Sequence, residues 1–114
     1  VVQTSNGTLH GINLPSFSQV AFLGVPYADP PIDDLRLRHP VPLSKNYQNY
    51  PATAQPASCP GYAGFDIDIG ELSEDCLYLN IIGPDHRLPS GELLPVLVWL
   101  VILPVYIVIY IVQG

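Results

Sequence analysis

Serine, histidine and carboxylate side chains are the raw material of hydrolytic chemistry, and the 114-residue chain holds all three. Covalent catalysis by serine needs a hydroxyl raised on a sharp Gly-x-Ser-x-Gly turn, a histidine to take its proton and an acid to orient that histidine. Ser5, Ser16, Ser18, Ser44, Ser58, Ser73 and Ser90 all fall outside that context. His10 lies on an expected strand, His39 precedes a proline and His86 sits in a polar turn, so the three read as structural or solvated. The acidic pairs Asp33-Asp34 and Asp66/Asp68 read as solvated. Asp66-Ile-Asp68-Ile-Gly70 departs from a calcium loop at its fifth position, which is glycine, and at its twelfth, Leu77, where glutamate is required. Cys59 and Cys76 are 17 positions apart, and the sequence has no CxxC or HxxxH pair to build a metal site. The residues therefore predict no catalytic, cofactor-binding or metal-binding group in this chain, and no cofactor.

The net charge is -6, from ten acidic and four basic residues. Binding nucleic acid needs a basic footprint that neutralises phosphates, so that partner is excluded as an expectation. Two cysteines and one Asn-x-Thr sequon at Asn6-Gly7-Thr8 point to an oxidising, secretory compartment, with Asn6 a candidate for glycosylation. The chain has no methionine and no basic, apolar leader at its start, which reads as a processed chain or a fragment.

Thirteen prolines and nine glycines argue against long helices. Residues 1–4 and 8–14 flank Asn6-Gly7 and read as a hairpin whose Asn-Gly turn supplies positive φ angles. Residues 20–23 read as a third strand, completing a small antiparallel meander. Gly24 and Pro26 read as a tight turn after it. Residues 24–60 carry eight prolines and no usable period, and read as a long ordered loop. Residues 77–82 read as a strand, 83–91 as a polar turn segment, and 94–101 as a fully buried strand of the parallel-sheet type.

Three segments in fixed order carry a resemblance: Phe22-Leu-Gly-Val-Pro-Tyr-Ala-Asp-Pro-Pro with Leu35-Arg36-Leu37 after it, Ser73-Glu-Asp-Cys-Leu-Tyr-Leu-Asn80, and Leu94-Pro-Val-Leu-Val-Trp99. Together they resemble the N-terminal part of a type-B carboxylesterase, the family that includes cholinesterases and some fungal lipases. The resemblance covers residues 1–99, the opening portion of a much longer domain. It implies the α/β-hydrolase fold, of which this piece holds the antiparallel strands and the first central ones. It implies a disulfide between Cys59 and Cys76, closing a loop that helps form the rim of a substrate gorge and holds Tyr62, Phe65, Asp66 and Asp68. It also implies an ion pair between Arg36 and Glu74, expected to be buried and therefore costly to break. The implied chemistry is hydrolysis of a carboxylic ester by serine attack through an acyl-enzyme. The oxyanion glycines due just after Trp99 are replaced by an apolar run, and the nucleophile, acid and base are not in this sequence.

From Leu93 to Val112 no residue is charged, which is enough length for a membrane span, although Pro95, Pro104 and many β-branched residues oppose a helix. The preferred reading takes 1–99 as carboxylesterase-like and 100–114 as a divergent tail produced by a gene-model error, ahead of a membrane helix or a genuine truncated variant. With no partner sheet, such a tail is an aggregation hazard, and the piece alone is expected to be marginal or unfolded. The expected function is an inactive N-terminal part of a secreted carboxylic-ester hydrolase. The alternative is a non-catalytic, membrane-anchored or adhesion-type cholinesterase-like protein.

Overall fold

The computed structural model describes residues 1–61, 70–86, 93–100 and 107–111. Among them the fold is strands and loops, without an α-helix. Eight strands form two sheets. The first sheet has three strands in the order β1-β2-β5, and the second has five in the order β3-β4-β6-β8-β7.

β1 (Val2–Thr4) pairs antiparallel with β2 (Gly7–His10), with Thr4 opposite Gly7. That register moves the turn. Its central pair is Ser5-Asn6, and Gly7, not Asn6, takes positive φ. The expected strand over residues 8–14 breaks at Gly11, against whose backbone the Phe22 ring packs. Beyond the break, β3 (Ile12–Leu14) leaves the first sheet and pairs antiparallel with β4 (Gln19–Pro26). The expected meander is therefore two hairpins in two sheets.

β4 runs through the expected turn and ends at Pro26. Its pairing with β6 (Tyr78–Pro84) slips between Phe22 and Val25, where Gly24 adopts φ 66°. A bulge inserts one residue and flips the side-chain alternation. Phe22 and Val25, three apart, consequently share one face and join Leu9 and Ala52 in the core. Leu79 and Ile81 of β6 pack on that cluster, as do Val20, Tyr47 and Tyr50.

The proline-rich loop is pinned by a few bonds. Asp29 N–H donates to the Val41 carbonyl at 2.9 Å, and Ser44 N–H donates to Asp29 Oδ1 at 2.9 Å. The Ser44 amide holds the Asp29 carboxyl below its usual range. The loop also yields an unexpected short strand, β5 (Asn49–Pro51), parallel to β2. Beyond β5, Ala52 ties the two sheets together: its N–H donates to the His10 carbonyl and its carbonyl accepts from Leu23 N–H, both at 2.9 Å.

β7 (Val96–Leu100) corrects the expectation of a buried parallel strand. It pairs antiparallel, with β8 (Ile107–Ile111), and sits at the sheet edge. Val96, Leu97, Val98 and Trp99 are each about half exposed, at 58, 49, 52 and 56 %. The apolar tail does have a partner sheet, because β8 pairs in parallel with β6, from Leu79 opposite Ile107 to Ile82 opposite Tyr110. No helix among the described residues is long and apolar enough to cross a membrane.

Candidate functional site

The Ser73–Asn80 segment is where the described residues converge, and each of its side chains or backbone groups has a fixed partner. Ser73 N–H donates to the Ser58 carbonyl at 3.0 Å, and Ser58 N–H donates to the Glu71 carbonyl at 2.8 Å. Ser73 Oγ accepts the Asp75 amide at 3.1 Å, so this hydroxyl holds a turn. Glu74 Oε1 accepts from Arg36 Nε. Cys76 is bonded to Cys59, with 5.1 Å between their Cα atoms. The Leu77 carbonyl accepts Tyr27 N–H at 3.2 Å, and Leu79 reaches the core.

Asn80 closes the arrangement. It is 4 % exposed. Its Oδ1 accepts the Gly24 amide at 2.8 Å, and its Nδ2 donates to Gln55 Oε1 at 2.8 Å. Tyr50 Oη donates to the Gly24 carbonyl at 2.8 Å. Both backbone groups of the bulged glycine are thus held by side chains from neighbouring strands. A Cβ on Gly24 would lie 2.8 Å from the Ala54 carbonyl oxygen, and φ 66° already favours glycine. Sequence reasoning missed Asn80, Gln55 and Tyr50; an asparagine at an inward position of an otherwise apolar strand was the available signal.

Beside this latch lies an open cavity of about 340 Å³ lined by Gly24, Tyr50, Gln55, Ser73, Asp75 and Tyr78, among others. Partial burial, then the neighbouring Asp75 carboxylate, pushes the Tyr78 phenol up to about 12. Burial also raises the Tyr50 phenol. Among the described residues, no buried side-chain polar atom lacks a hydrogen-bond partner. No described histidine lines the cavity. His10 Nε2 pairs with Asn49 Oδ1 at 3.1 Å, His86 Nδ1 pairs with Asp85 Oδ1 at 2.9 Å, and His39 borders a separate groove with Leu37 and Arg38. The site is therefore a bracing centre, and among the described residues no serine-histidine-acid set is assembled in it.

One expectation is corrected here. Arg36 and Glu74 meet, but their side chains are 58 and 41 % exposed, so the pair is a solvated one. Residue 36 follows a 3₁₀ turn (Asp33–Leu35) on the outside of the loop, which leaves its guanidinium in water. Asn6 is half-buried in its turn: Nδ2 reaches the Lys45 carbonyl at 3.5 Å, and Oδ1 accepts from Ser5 Oγ at 3.0 Å. Tyr62, Phe65, Asp66 and Asp68 lie outside the described residues, as do parts of the 93–112 stretch. Among the described residues no cluster of histidine, cysteine and carboxylate could hold a metal ion.

The profile of the carboxylesterase family matches residues 1–101. The chain belongs to the carboxylesterase family. Mouse cholinesterase is 36 % identical over 112 residues, an alignment covering 88 % of this chain and 18 % of the relative. Mouse carboxylesterase 1F is 37 % identical over 116 residues, covering 88 % of this chain and 20 % of the relative. Among solved structures, a PNB esterase superposes with a TM-score of 0.69 at 31 % identity, covering 82 % of this chain and 19 % of that one. Aspergillus niger EstA gives 0.61 at 33 % identity, covering 71 and 15 %. The fold is accordingly that of the α/β-hydrolases, represented here by a strand-dominated portion. This carboxylesterase-family chain spans about a fifth of the length of the relatives it matches.

Proposed function

We propose that this chain is the N-terminal scaffold of a carboxylic-ester hydrolase and performs no hydrolysis itself. The observation that supports this reading is the Ser73–Asn80 segment, whose Ser73, Glu74, Cys76 and Asn80 are engaged in a turn, an ion pair, a disulfide and a backbone clamp. In a complete domain, a serine activated by histidine would attack the ester carbonyl and pass through an acyl-enzyme, without a cofactor. The segment's part would be indirect. It clamps β4 against β6 and so fixes the start of the sheet on which such a site is built. Residues 1–99 are the carboxylesterase portion in this reading, and 100–114 a divergent end.

The Cys59–Cys76 disulfide supports a secretory location, since disulfides persist in oxidising compartments. The acidic charge supports the absence of a nucleic-acid partner. The test of function is direct. The purified chain mixed with p-nitrophenyl acetate is expected to release nitrophenol no faster than buffer plus an equal concentration of free serine and histidine. Saturable turnover by the chain would overturn the proposal.

A further inference from the structure

Asn6 is the one asparagine in the sequence followed by glycine; Asn13, Asn46, Asn49 and Asn80 precede leucine, tyrosine, tyrosine and isoleucine. The fold does not tolerate another residue after it. Gly7 takes φ 130°, and a Cβ at that position would overlap the Tyr47 carbonyl oxygen. That carbonyl is brought close because the segment leading into β5 is stitched to the turn and to β2: Tyr47 N–H donates to the Asn6 carbonyl at 2.8 Å, and Thr8 N–H donates to the Gln48 carbonyl at 3.2 Å. Glycine at position 7 is thus a packing requirement, and it leaves the nitrogen after Asn6 with no side chain to shield it.

We propose that Asn6 is the chain's site of spontaneous succinimide formation, a modification that unstitches the β1–β2 turn from residues 45–47. The Gly7 backbone nitrogen attacks Asn6 Cγ and forms the new N–C bond, giving up its proton to solvent base. The Cγ–Nδ2 bond then breaks, and the nitrogen leaves with a proton as ammonia. Water opens the five-membered imide at either carbonyl, leaving aspartate or isoaspartate. Water is the only co-reactant, and nothing is oxidised or reduced. Ser5 Oγ, which donates to Asn6 Oδ1 at 3.0 Å, faces the oxygen on which negative charge develops during attack. Gly7 is paired with Thr4 across the turn, so its nitrogen is free to attack only when the turn opens. The fold thereby slows the reaction without relocating it.

Isoaspartate routes the main chain through the former side chain and lengthens it by one methylene. The residue-6 carbonyl then moves off the Tyr47 amide, and the Nδ2 contact with Lys45 is lost. A glycan on Nδ2, as the Asn6-Gly7-Thr8 sequon permits, would block the departure of ammonia.

The test is to age the full chain at mildly alkaline pH and map isoaspartate with an isoaspartyl methyltransferase and peptide mass analysis. Beside it are aged the Asn6→Gln and Thr8→Ala variants and a synthetic peptide of residues 1–10. Isoaspartate is expected at position 6 ahead of the four other asparagines. It should form faster as pH rises, several-fold more slowly than in the peptide, be absent in Asn6→Gln and be retained in Thr8→Ala. In the modified chain the Tyr47 amide should exchange with deuterium faster. Residue 6 staying intact while the peptide converts, or damage spread evenly over Asn13, Asn46 and Asn49, would overturn the proposal. Unchanged Tyr47 exchange in converted chain would overturn the unstitching.

Discussion

Asn80 is the side chain on which the β4–β6 junction depends, because it satisfies the backbone amide of the buried Gly24. Asn80→Leu keeps the branching and the number of side-chain heavy atoms but leaves the Gly24 amide bare, at an expected loss of about 1–3 kcal/mol. Asn80→Asp retains an acceptor for that amide and is expected to lose less. Urea titration in trimethylamine oxide, which strengthens burial, measures both, and equal midpoints for wild type and Asn80→Leu would remove this role. Arg36 is a different case. Its pair with Glu74 is exposed, so Glu74→Gln is expected to shift stability little, and less still in high salt. The pairing of these two residues was legible through the family resemblance. Their exposure was not, since it depends on which side of a proline-rich loop residue 36 emerges. Tyr78 supplies a pH signature. Its phenol titrates near 12 in the fold against 10.0 ordinarily, so the folded chain keeps a proton that the unfolded chain has lost between those values. Stability from this group is complete below pH 10 and is lost as pH rises through 12. Tyr78→Phe is expected to flatten that part of the profile, and absorbance titration of the wild type should show a phenol ionising near 12 that the variant lacks.

At the scale of elements, the bulge in β4 and the Cys59–Cys76 bridge decide how the strands meet. Gly24→Ala places a side chain at φ 66° against the Ala54 carbonyl, and strain of this kind costs about 1–3 kcal/mol. The expected result is a lowered urea midpoint; a raised one would mean that the strand relaxes without the bulge. The double change Cys59→Ala with Cys76→Ala is expected to cost about 2–5 kcal/mol. The isolated bridge between Ser58 and Leu72 should keep part of the loop in place without it. Proteolysis within residues 60–75, in wild type and double variant, checks this. Strand identities were largely legible because alternating and β-branched runs report local preference. Strand ends and partners were less so. Gly24-Val-Pro reads locally as a turn, yet sheet pairing carries β4 through it to Pro26. The run around Val98 reads as buried on both faces because it is apolar on both, although in this chain it stands at an edge.

Among the described residues, the buried hydrophobic set is Leu9, Ala21, Phe22, Val25, Ala28 and Ala52, and three of these six are alanines. Alanine contributes little apolar area, so this described part of the core lends modest stability. Val96, Leu97, Val98 and Trp99 meanwhile stay half exposed. The purified chain is expected to bind the dye ANS and to melt over a broad range; a sharp, cooperative transition without dye binding would contradict this. Family membership was legible from three short segments, because bracing residues such as Glu74, Cys76 and Asn80 need specific partners and so leave a specific pattern. The size of the core was not, since apolar composition counts Trp99 and Leu9 alike.

β8 follows β7 in sequence but lies between β7 and β6. A ribosome therefore releases β6 and β7 before the strand that separates them exists. During synthesis those two must be kept from pairing with each other, or must part again, for Ile107–Ile111 to enter. The five-stranded sheet cannot zip up from one end as the chain emerges, and its assembly waits on the intercalating strand.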